Sequence, residues 1–490
     1  MKVFISYPPF RDKGSPMWTQ NRQFQWYHMG SFIYPLVPAM AATLLDREGF
    51  EVTWDDAIAV GESLEQFTNR IHSEKPDLIV FETKTPIIKR LWRLAGDLKG
   101  QGVESKLVMV GDHVTAKPEE SLLESPVDYV ITGGNYDISL LSLAKHLRDG
   151  DDLSPGIWYR NGDQVENTGK FRLDFDLNKL PFVDRRLTKA HLYGEKWKKR
   201  LPFMYTMVGR DCPWAKCTFC SWTTLYPRFK TRSPDSLLDE IGYLIDEFGT
   251  KEIFDDTGTF PGGNWLRTFC KGMIERGYHK EILFSCNMRF DYMLDPSMPA
   301  LMKEAGFRKV KSGLESASDE TLAKIRKGYG VKEIIRGCQN AARAGIDVHL
   351  TVIIGYPWET REDAQRTLEL ARQLMADGDA EMLQATTLVP YPGTPLYKYA
   401  VDNNLFRFDP TDYDRFDMTE AVLKTPDMTP EEVTHMCQGV YRSFLAPRFI
   451  LRQIMNARSW EDVEYLLRGV KAVVGHLRDF GRVRSRKTVR

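Results

Sequence analysis

The chain has 490 residues, of which 42% are hydrophobic and 27% charged, and its 67 basic residues balance 67 acidic ones. This length exceeds what one hydrophobic core organises and predicts two or three domains, while the charge balance argues against a nucleic acid partner. The apolar runs fall short of the roughly 20 residues of a membrane span, and the start MKVFISYPPF lacks a signal-peptide pattern, so we expect a cytoplasmic protein without an integral membrane segment.

Residues 1–150 alternate short apolar runs with segments of helical periodicity. The runs KVFISY, DLIVFET and KLVMVGD are typical of strands that are buried on both faces of a sheet. The alternation predicts an α/β domain with a doubly wound, Rossmann-like parallel sheet. Such sheets bind ligands beyond the carboxyl ends of their strands, so the candidate binding residues are those that directly follow the apolar runs.

Residues 151–195 have a different character. They contain GIWYRNGDQVENTG, in which an Asn-Gly pair lies between two alternating segments. This pattern predicts a β-hairpin. A polar, proline-containing connection follows, and we interpret the whole range as a hairpin and linker.

Residues 196–400 contain six apolar runs separated by helical patterns, beginning with MYTMVG and ending with EMLQATTLVPY. This series predicts a partial (β/α)6 barrel whose site lies at the carboxyl ends of the strands. Residues 401–490 are polar and mostly helical in pattern, which predicts a helical C-terminal domain. Its last residues, RVRSRKTVR, are basic, and we interpret them as a solvated chain end.

Three of the seven cysteines, Cys212, Cys217 and Cys220, lie in the stretch DCPWAKCTFC after the first strand predicted for the barrel. A reducing cytoplasm argues against disulfides, which leaves a metal site or simple packing. A structural zinc ion wants a fourth ligand, and the nearest histidines are His191 and His279. Three thiolates also suffice for a [4Fe-4S] cluster with one open iron. Both kinds of metal site remain possible on the pattern alone.

The cysteine loop, with Phe219 before its last cysteine, resembles the cluster loop of radical S-adenosylmethionine (SAM) enzymes. Four residues, PWAK, separate the first two cysteines, where that family usually has three. Four further segments resemble the cobalamin-dependent branch of the family in the same order: EIFDDTGTF, GLESASDETLAKIRKG, IIGYPWET and YPGTPLY. The resemblance implies a [4Fe-4S] cluster on Cys212, Cys217 and Cys220, with SAM bound at its open iron.

The resemblance extends to the N-terminal domain through SYPPF, DLIVF, VMVGDHVTAKPEESL and DYVITGG, which are similar to the cobalamin-binding domain of that branch. Because Asp112 and His113 are adjacent, the chain lacks the Asp-x-His-x-x-Gly pattern that supplies a cobalt ligand in other cobalamin enzymes. We therefore expect base-off cobalamin without a histidine ligand. The cobalamin-binding residues that the resemblance implies are Tyr7, Pro8, Thr83, Thr85, Gly111, His113, Val114, Gly133 and Gly134.

The resemblance also implies SAM-binding residues at the strand ends of the barrel. Glu315 and the segment 255–257 are expected near the ribose or the methionine ammonium, and Arg289 offers a planar cation for a carboxylate. The expected SAM-binding residues are Phe219, Asp255, Asp256, Thr257, Arg289, Glu315, Ile354 and Tyr391. No acid or base catalyst is assigned by the resemblance.

The activity implied by the resemblance is methyl transfer to an unactivated carbon or phosphorus of a small molecule, through a 5′-deoxyadenosyl radical and methylcobalamin. The alternative within the same branch is oxidation, ring formation or ring contraction without methyl transfer, as in the anaerobic magnesium-protoporphyrin monomethyl ester cyclase. The electron donor is expected to be flavodoxin or ferredoxin. A hypothesis of another class is a non-enzymatic module that binds zinc or cobalamin.

Overall fold

The computed structural model describes residues 1–10, 13–18, 24–27, 32–194, 197–457, 460 and 462–471. Two parallel-stranded sheets organise these residues. The first has seven strands and lies in the N-terminal third of the chain, and the second has six strands and lies in its middle. Helices cover both sheets, as the alternating sequence pattern predicts, and the α/β class is confirmed.

The first sheet consists mostly of parallel strands with buried side chains. Its strand order is β4-β1-β5-β6-β7-β8-β9. The chain adds β4 on one side of β1 and all later strands on the other side, so the switch point lies between β1 and β5, as in other doubly wound sheets. The elements of this part, in chain order, are β1 (Lys2–Tyr7), β2 (Ser15–Met17), β3 (Gln25–Tyr27), α1 (Leu36–Arg47), β4 (Glu51–Asp56), α2 (Ala57–Val60), α3 (Leu64–Glu74), β5 (Leu78–Thr83), α4 (Ile88–Gly100), β6 (Lys106–Gly111), α5 (Asp112–Ala116), α6 (Pro118–Glu124), β7 (Tyr129–Ile131), α7 (Tyr136–Asp149), β8 (Ile157–Asn161) and β9 (Gln164–Asn167).

The strands β8 and β9 form an antiparallel hairpin around the Asn-Gly turn. The hairpin belongs to the first sheet, because β8 pairs antiparallel with β7 and brings Tyr159 opposite Tyr129. A sequence pattern predicts a hairpin but not the strand beside which it lies. The division of the chain at residues 150, 195 and 400 stays a prediction.

The second sheet follows chain order without a crossover, as β10-β13-β14-β15-β16-β17, and all of its pairs are parallel. This is the arrangement of a partial barrel. Its elements are β10 (Phe203–Thr206), β11 (Gly209–Arg210), α8 (Trp222–Leu225), β12 (Lys230–Thr231), α9 (Pro234–Phe248), β13 (Glu252–Asp255), α10 (Gly263–Glu275), β14 (Leu283–Asn287), α11 (Ser297–Glu304), β15 (Phe307–Glu315), α12 (Asp319–Lys324), α13 (Val331–Arg343), β16 (Asp347–Ile354), α14 (Arg361–Asp377), β17 (Met382–Thr387) and α15 (Pro395–Asp402).

Local signals in the sequence begin and end the barrel helices. The hydroxyl of Ser233 accepts a hydrogen bond from the backbone of Ser236 at the start of α9, and Gly249 ends that helix in the left-handed conformation. Thr360 and Asp363 form a reciprocal capping box at the start of α14. These interactions satisfy backbone groups that the helix itself leaves unpaired. They place each helix start just beyond a strand end.

The C-terminal region is helical in its second half. It contains α16 (Pro430–Val440) and α17 (Pro447–Asn456), and residues 462–471 are also helical. The basic stretch 482–490, predicted as a solvated end, lies outside the described residues. Within the described part of the chain, none of the helices combines the length and the apolar character that crossing a bilayer requires.

The carboxyl ends of the two sheets face each other across the segment 221–226. The backbone N–H of Gly134, beyond β7, donates to the carbonyl of Leu225 at 3.0 Å. The phenol of Tyr226 donates to the carbonyl of Gly134 at 2.8 Å. The strand ends at which both predicted ligand sites lie therefore meet in one region.

Candidate active site

A cavity of about 190 Å³ lies at the carboxyl ends of the barrel strands. All three cysteines of the DCPWAKCTFC loop line it. Among the predicted site residues, Phe219, Arg289, Glu315 and Tyr391 line it as well. Residues that the sequence did not single out complete the wall, and these are Asp211, Gly258, Thr259, Asn287, Met288, Lys311, Gly313, Lys327, Tyr329, Thr351, Ile353, Thr386, Thr387, Leu388, Val389 and Met418.

The cysteine loop runs between β11 and α8 and is fixed by contacts to distant segments. The backbone N–H of Thr218 donates to the carbonyl of Ile325 at 3.1 Å, and the indole of Trp214 donates to the carbonyl of Arg326 at 2.7 Å. The carboxylate of Asp211 accepts from the backbone N–H of Gly258 at 2.6 Å. A Cβ on Gly258 would overlap that carboxylate, which explains the glycine. The thiols are thus held at a defined edge of the cavity.

Burial favours the protonated form of the Cys217 thiol. Burial raises the pKa of Cys217 above its ordinary value, and the nearby cations of Lys327 and Arg289 only partly offset this effect. A thiol that binds metal must lose its proton, so metal binding at this position releases a proton. The thiol of Cys212 lies 3.4 Å from the hydroxyl of Thr259.

Glu315 and Lys327 form a buried ion pair beside the cysteines. The ammonium of Lys327 lies 2.7 Å from the carboxylate of Glu315. Burial disfavours the ammonium, but Glu315 outweighs this effect and raises the pKa of Lys327. Glu315 has a φ of 60°, which is strained for a residue with a side chain. A Cβ on Gly313 would overlap both partners, so a glycine two residues earlier makes room for the pair.

The other predicted SAM-binding residues support the site from behind the cavity wall. Asp255 is fully buried, and its carboxylate accepts from the hydroxyl of Thr206 at 2.8 Å and from the backbone of Val208 at 3.0 Å. The hydroxyl of Thr257 accepts from the backbone N–H of Gly209 at 2.9 Å. These side chains join the end of β13 to the chain that leads into the cysteine loop.

Asp256, Ile354 and Arg289 have different surroundings. The backbone N–H of Asp256 donates to Thr206 O at 2.8 Å. Ile354 is fully buried, and its neighbour Ile353 faces the cavity in its place. The guanidinium of Arg289 lines the cavity but is bound to Asp291, to the carbonyl of Lys327 at 2.9 Å, and to two aromatic rings. Arg289 therefore also braces the cavity wall.

The turn after β16 contains a buried carboxylate, Glu359, that accepts from the backbone N–H groups of Gly355 at 2.6 Å and Tyr356 at 3.4 Å. Burial raises the pKa of Glu359 to about 8. The folded protein thus holds a proton on this carboxyl at pH values where the unfolded chain has released it. The contribution of Glu359 to the free energy of unfolding falls as the pH rises from about 4.5 to about 8.

We expect Glu359→Gln to remove this pH dependence, because a neutral amide keeps the hydrogen bonds and has no charge to bury. Relative to the unmodified chain, the variant's free energy of unfolding should increase by about 4 kcal/mol between pH 5 and pH 9. Urea denaturation at a series of pH values measures the difference. Glu362→Gln, at an exposed position of the same segment, is the control and should follow the unmodified chain. Parallel profiles for Glu359→Gln and the unmodified chain would contradict the prediction.

The predicted cobalamin-binding residues lie together at the carboxyl edge of the first sheet. The phenol of Tyr7 donates to the carboxylate of Glu82 at 2.6 Å, and burial raises the pKa of Glu82 to about 7. Thr83 donates to the carbonyl of Val110 at 2.8 Å. Gly111 has a φ of 112°, and a Cβ there would lie 2.7 Å from the carbonyl oxygen of Thr83. Pro8 is also buried at this edge.

The imidazole of His113 is almost fully buried in this edge. Its Nδ1 lies 3.1 Å from the hydroxyl of Thr85, and its Nε2 lies 3.4 Å from the carboxylate of Glu120. The ring contacts Tyr413 edge to face at 4.8 Å. Both ring nitrogens thus face protein groups, and the residue lies in α5. Its neighbour Val114 is fully buried.

The glycines after β7 allow the barrel to approach the first sheet closely. A Cβ on Gly134 would overlap the ring of Tyr226, and a Cβ on Gly133 would overlap the ring of Phe171. A buried ion pair joins the same two parts, since Arg210 of β11 forms two hydrogen bonds with Asp137 of α7, at 2.9 and 2.6 Å. No sequence pattern indicates this pair, because its members are 73 residues apart.

Comparison with known proteins agrees with this geometry. Residues 206–371 match the family described as the Radical SAM superfamily. The chain is 28% identical over 428 residues to an uncharacterised methyltransferase of Pyrococcus horikoshii, covering 86% of this chain and 90% of the relative. It is 24% identical to the anaerobic magnesium-protoporphyrin IX monomethyl ester cyclase of Cereibacter sphaeroides, covering 89% and 71%.

Solved structures share the fold of this chain along nearly all of its length. The cobalamin-dependent SAM radical enzyme OxsB matches with a TM-score of 0.69 at 15% identity, covering 97% of this chain and 71% of that protein. The radical SAM methyltransferase TsrM of Kitasatospora setae matches with a TM-score of 0.68 at 14% identity, covering 98% and 99%. The predicted α/β fold is therefore confirmed, while the roles of individual residues stay predictions.

Proposed function

We propose that the protein is a cobalamin-dependent radical SAM methyltransferase that acts on an unactivated carbon or phosphorus of a small molecule. One observation carries the proposal: three thiols and a buried Glu315–Lys327 pair line one cavity, at the strand ends that face the first sheet. The methyltransferase relative and the shared fold of OxsB and TsrM support it. When bound, the cluster and SAM supply a 5′-deoxyadenosyl radical, and cobalamin supplies a methyl group.

The three thiols fit a cluster better than a single metal ion. Within the described part of the chain, no three His, Cys, Asp or Glu side chains are grouped closely enough to hold one ion. A [4Fe-4S] cluster does not require such convergence, because each cysteine binds a different iron. Cys212, Cys217 and Cys220 would hold three irons and leave the fourth open to SAM. This comparison favours the cluster over the zinc site that the cysteine pattern alone allowed.

The polar groups of the cavity fit the amino acid and ribose parts of SAM. The Glu315 carboxylate is held by Lys327 and can accept from an ammonium or a hydroxyl group. Asn287 and Lys311 add a side-chain amide and a second cation to the lining. Tyr391 and Ile353 supply apolar surface for a ring. We therefore assign Glu315 the binding of SAM and Asp255 the positioning of the cysteine loop.

The carboxyl edge of the first sheet fits a ligand that is rich in amide groups. Among the described residues, the Asp112 Oδ1 and Thr224 Oγ1 atoms are buried there without a hydrogen-bond partner. Gly111 and Gly393 allow close approach here, since a Cβ on Gly393 would lie 2.8 Å from the Cβ of Ala116 and 2.9 Å from a side-chain carbon of Thr224. We propose that this edge, including α5 with His113, holds cobalamin, and that the protein offers it no histidine ligand.

Reconstitution without oxygen tests the proposal. The chain is loaded with iron, sulfide and cobalamin, reduced, and given SAM. We expect about four irons per chain, S-adenosylhomocysteine in an amount that matches the bound cobalamin, and 5′-deoxyadenosine. Release of 5′-deoxyadenosine without S-adenosylhomocysteine would instead support the oxidative alternative, which the cyclase relative represents. A colourless zinc protein that leaves SAM intact would overturn both.

We also propose a small flavoprotein or iron–sulfur protein, flavodoxin or ferredoxin, as the electron donor, and the cytoplasm as the location. The electron donor is proposed because the cluster needs single electrons of low potential. The cytoplasm is proposed because it keeps the thiols reduced. Reduction of the reconstituted cluster by each donor, followed by its absorbance, tests the first part.

A further inference from the structure

The cysteine loop has an outer side that presents cations to solvent. Lys216, between the first two cysteines, is exposed, and its ammonium lies 4.7 Å from the centre of the Trp214 ring. Trp214 is partly buried, and its indole donates to the carbonyl of Arg326. The side chains of Arg326 and Lys324 are exposed as well. None of these three cations lines the cavity.

Aromatic side chains continue this surface. The ammonium of Lys324 lies 5.2 Å from the centre of the Trp358 ring, and that ring contacts Tyr399 edge to face at 6.2 Å. Tyr399, in α15, is 46% exposed. The backbone N–H of Leu396, in the same helix, donates to the carbonyl of Thr218 at 2.9 Å and holds the helix against the cysteine loop. We call the following six residues the loop surface: Trp214, Lys216, Lys324, Arg326, Trp358 and Tyr399.

The loop surface has an excess of positive charge. Glu320 pairs with Lys324 at 2.7 Å and offsets one of the three cations. Neither Lys216 nor Arg326 forms an ion pair with any residue that the structure describes. Asp319, beside Glu320, accepts from the first backbone N–H of α13 at 2.8 Å and lies toward that helix. Two exposed cations can therefore pair with acidic groups of a partner.

Trp214 connects the loop surface with the cavity. The guanidinium of Arg289, which lines the cavity, lies 4.4 Å from the centre of the Trp214 ring. The ring thus contacts both the exposed Lys216 and the buried Arg289. On the other side of the loop, residues 221–226 contact the first sheet at Gly134. The loop surface leaves another protein an approach to the thiols that the first sheet does not block.

We propose that the loop surface docks a small acidic electron-transfer protein, which gives one electron to the cluster held by the cysteine loop. The inference rests on the proposed function, because it takes the three thiols as ligands of that cluster. The donor is oxidised by one electron and the cluster is reduced by one, so the step needs no further reactant. Encounters of this kind use small interfaces, in which opposite charges set orientation and rate. Exposed tryptophan, tyrosine and arginine are side chains that such interfaces favour.

Two other occupants of the loop surface fit less well. A second copy of the chain, bound through the same surface, would bring the cations of both copies together. A nucleic acid requires a larger basic area, whereas the 67 basic residues of the whole chain are balanced by 67 acidic ones.

Binding of an acidic flavodoxin to the full chain tests the docking without catalysis. Isothermal titration calorimetry with oxidised flavodoxin should give an affinity that falls by at least about fivefold between low salt and about 0.3 M salt, because salt screens the charges. At low salt, Lys216→Glu should lower the affinity by about fivefold or more, and Lys324→Glu with Arg326→Glu by about tenfold or more. Lys251→Glu with Lys271→Glu reverses two exposed cations elsewhere and should bind like the unmodified chain.

A chemical reductant separates docking from catalysis. With dithionite, the reconstituted variant Lys324→Glu with Arg326→Glu should cleave SAM as fast as the unmodified chain, because neither side chain lines the cavity. With limiting reduced flavodoxin, the same variant should cleave SAM at least about tenfold more slowly. Failure of the unmodified chain to cleave SAM with dithionite would count against the proposed function, whereas the calorimetry would still test the loop surface.

Four results would overturn the proposal. The first is that the unmodified chain binds neither flavodoxin nor an acidic ferredoxin, and the second is that the double variant at 324 and 326 binds as tightly as the unmodified chain or the control. Equal losses with dithionite and with flavodoxin would mean that these cations act on the cluster rather than on a partner. Conversion of a dimer to a monomer by the same variant, seen by size-exclusion chromatography with light scattering, would assign the surface to a second copy.

Discussion

Cys217→Ala is expected to abolish SAM cleavage, with a loss of at least about a hundredfold, and to reduce the iron content of the anaerobically reconstituted chain to well below four per chain. The physical reason is that Cys217 is one of only three thiols that line the cavity, so no neighbouring cysteine can replace it as a ligand. Iron analysis, the visible absorbance of the cluster and the yield of 5′-deoxyadenosine measure the effect.

Cys338→Ala is the matched control. Cys338 is a fully buried thiol in α13 and does not line the cavity. This variant should lose a little stability through the smaller side chain and keep its iron. Normal iron content and SAM cleavage in Cys217→Ala, or equal losses in both variants, would contradict the assignment of the cluster to this loop.

The second large effect concerns the ion pair between the two α/β parts. Arg210→Met should reduce the free energy of unfolding by about 3–5 kcal/mol, because the fully buried carboxylate of Asp137 is left without its cation. Urea denaturation measures the loss. Adding Asp137→Leu to the variant should recover most of the stability, since two apolar side chains leave no buried charge.

Arg186→Met separates this effect from the loss of any ion pair. Arg186 pairs with Glu247 at 3.2 Å, but its side chain is 69% exposed. An exposed pair contributes about 0–1 kcal/mol, so this variant should stay close to the unmodified chain. Arg210→Met would contradict the prediction if it were as stable as Arg186→Met, or if the double variant were less stable than Arg210→Met.

The elements that the sequence predicted correctly are those with a strong local pattern. The five parallel strands of the first sheet and the six of the barrel appear as buried apolar runs, and the helices between them carry their own caps. The short strands β2 and β3 were not predicted. Each has three residues, too few for an apolar period to stand out.

The candidate site was predicted in part. The cysteine loop, Phe219, Glu315 and Tyr391 line the cavity, because their motifs directly follow strands. Lys327 was missed, since it reaches Glu315 only through the left-handed backbone of that residue. The contacts of Asp255 with the chain that leads into the cysteine loop were missed as well. The sequence pattern of a carboxylate at a strand end is the same whether the side chain faces a ligand or the protein's own backbone.

By itself, the sequence determined the α/β class, the succession of strands and helices along the chain, the three cysteines and the candidate ligand edge of each sheet. These follow from the periodicity of buried side chains and from residues adjacent in the chain, which are local properties. Only the tertiary structure decided that the two edges meet at Gly134 and Tyr226, that Arg210 pairs with Asp137, and that the cysteine loop contacts residues 325 and 326. Such contacts join residues far apart in the chain, and packing rather than local conformation selects them.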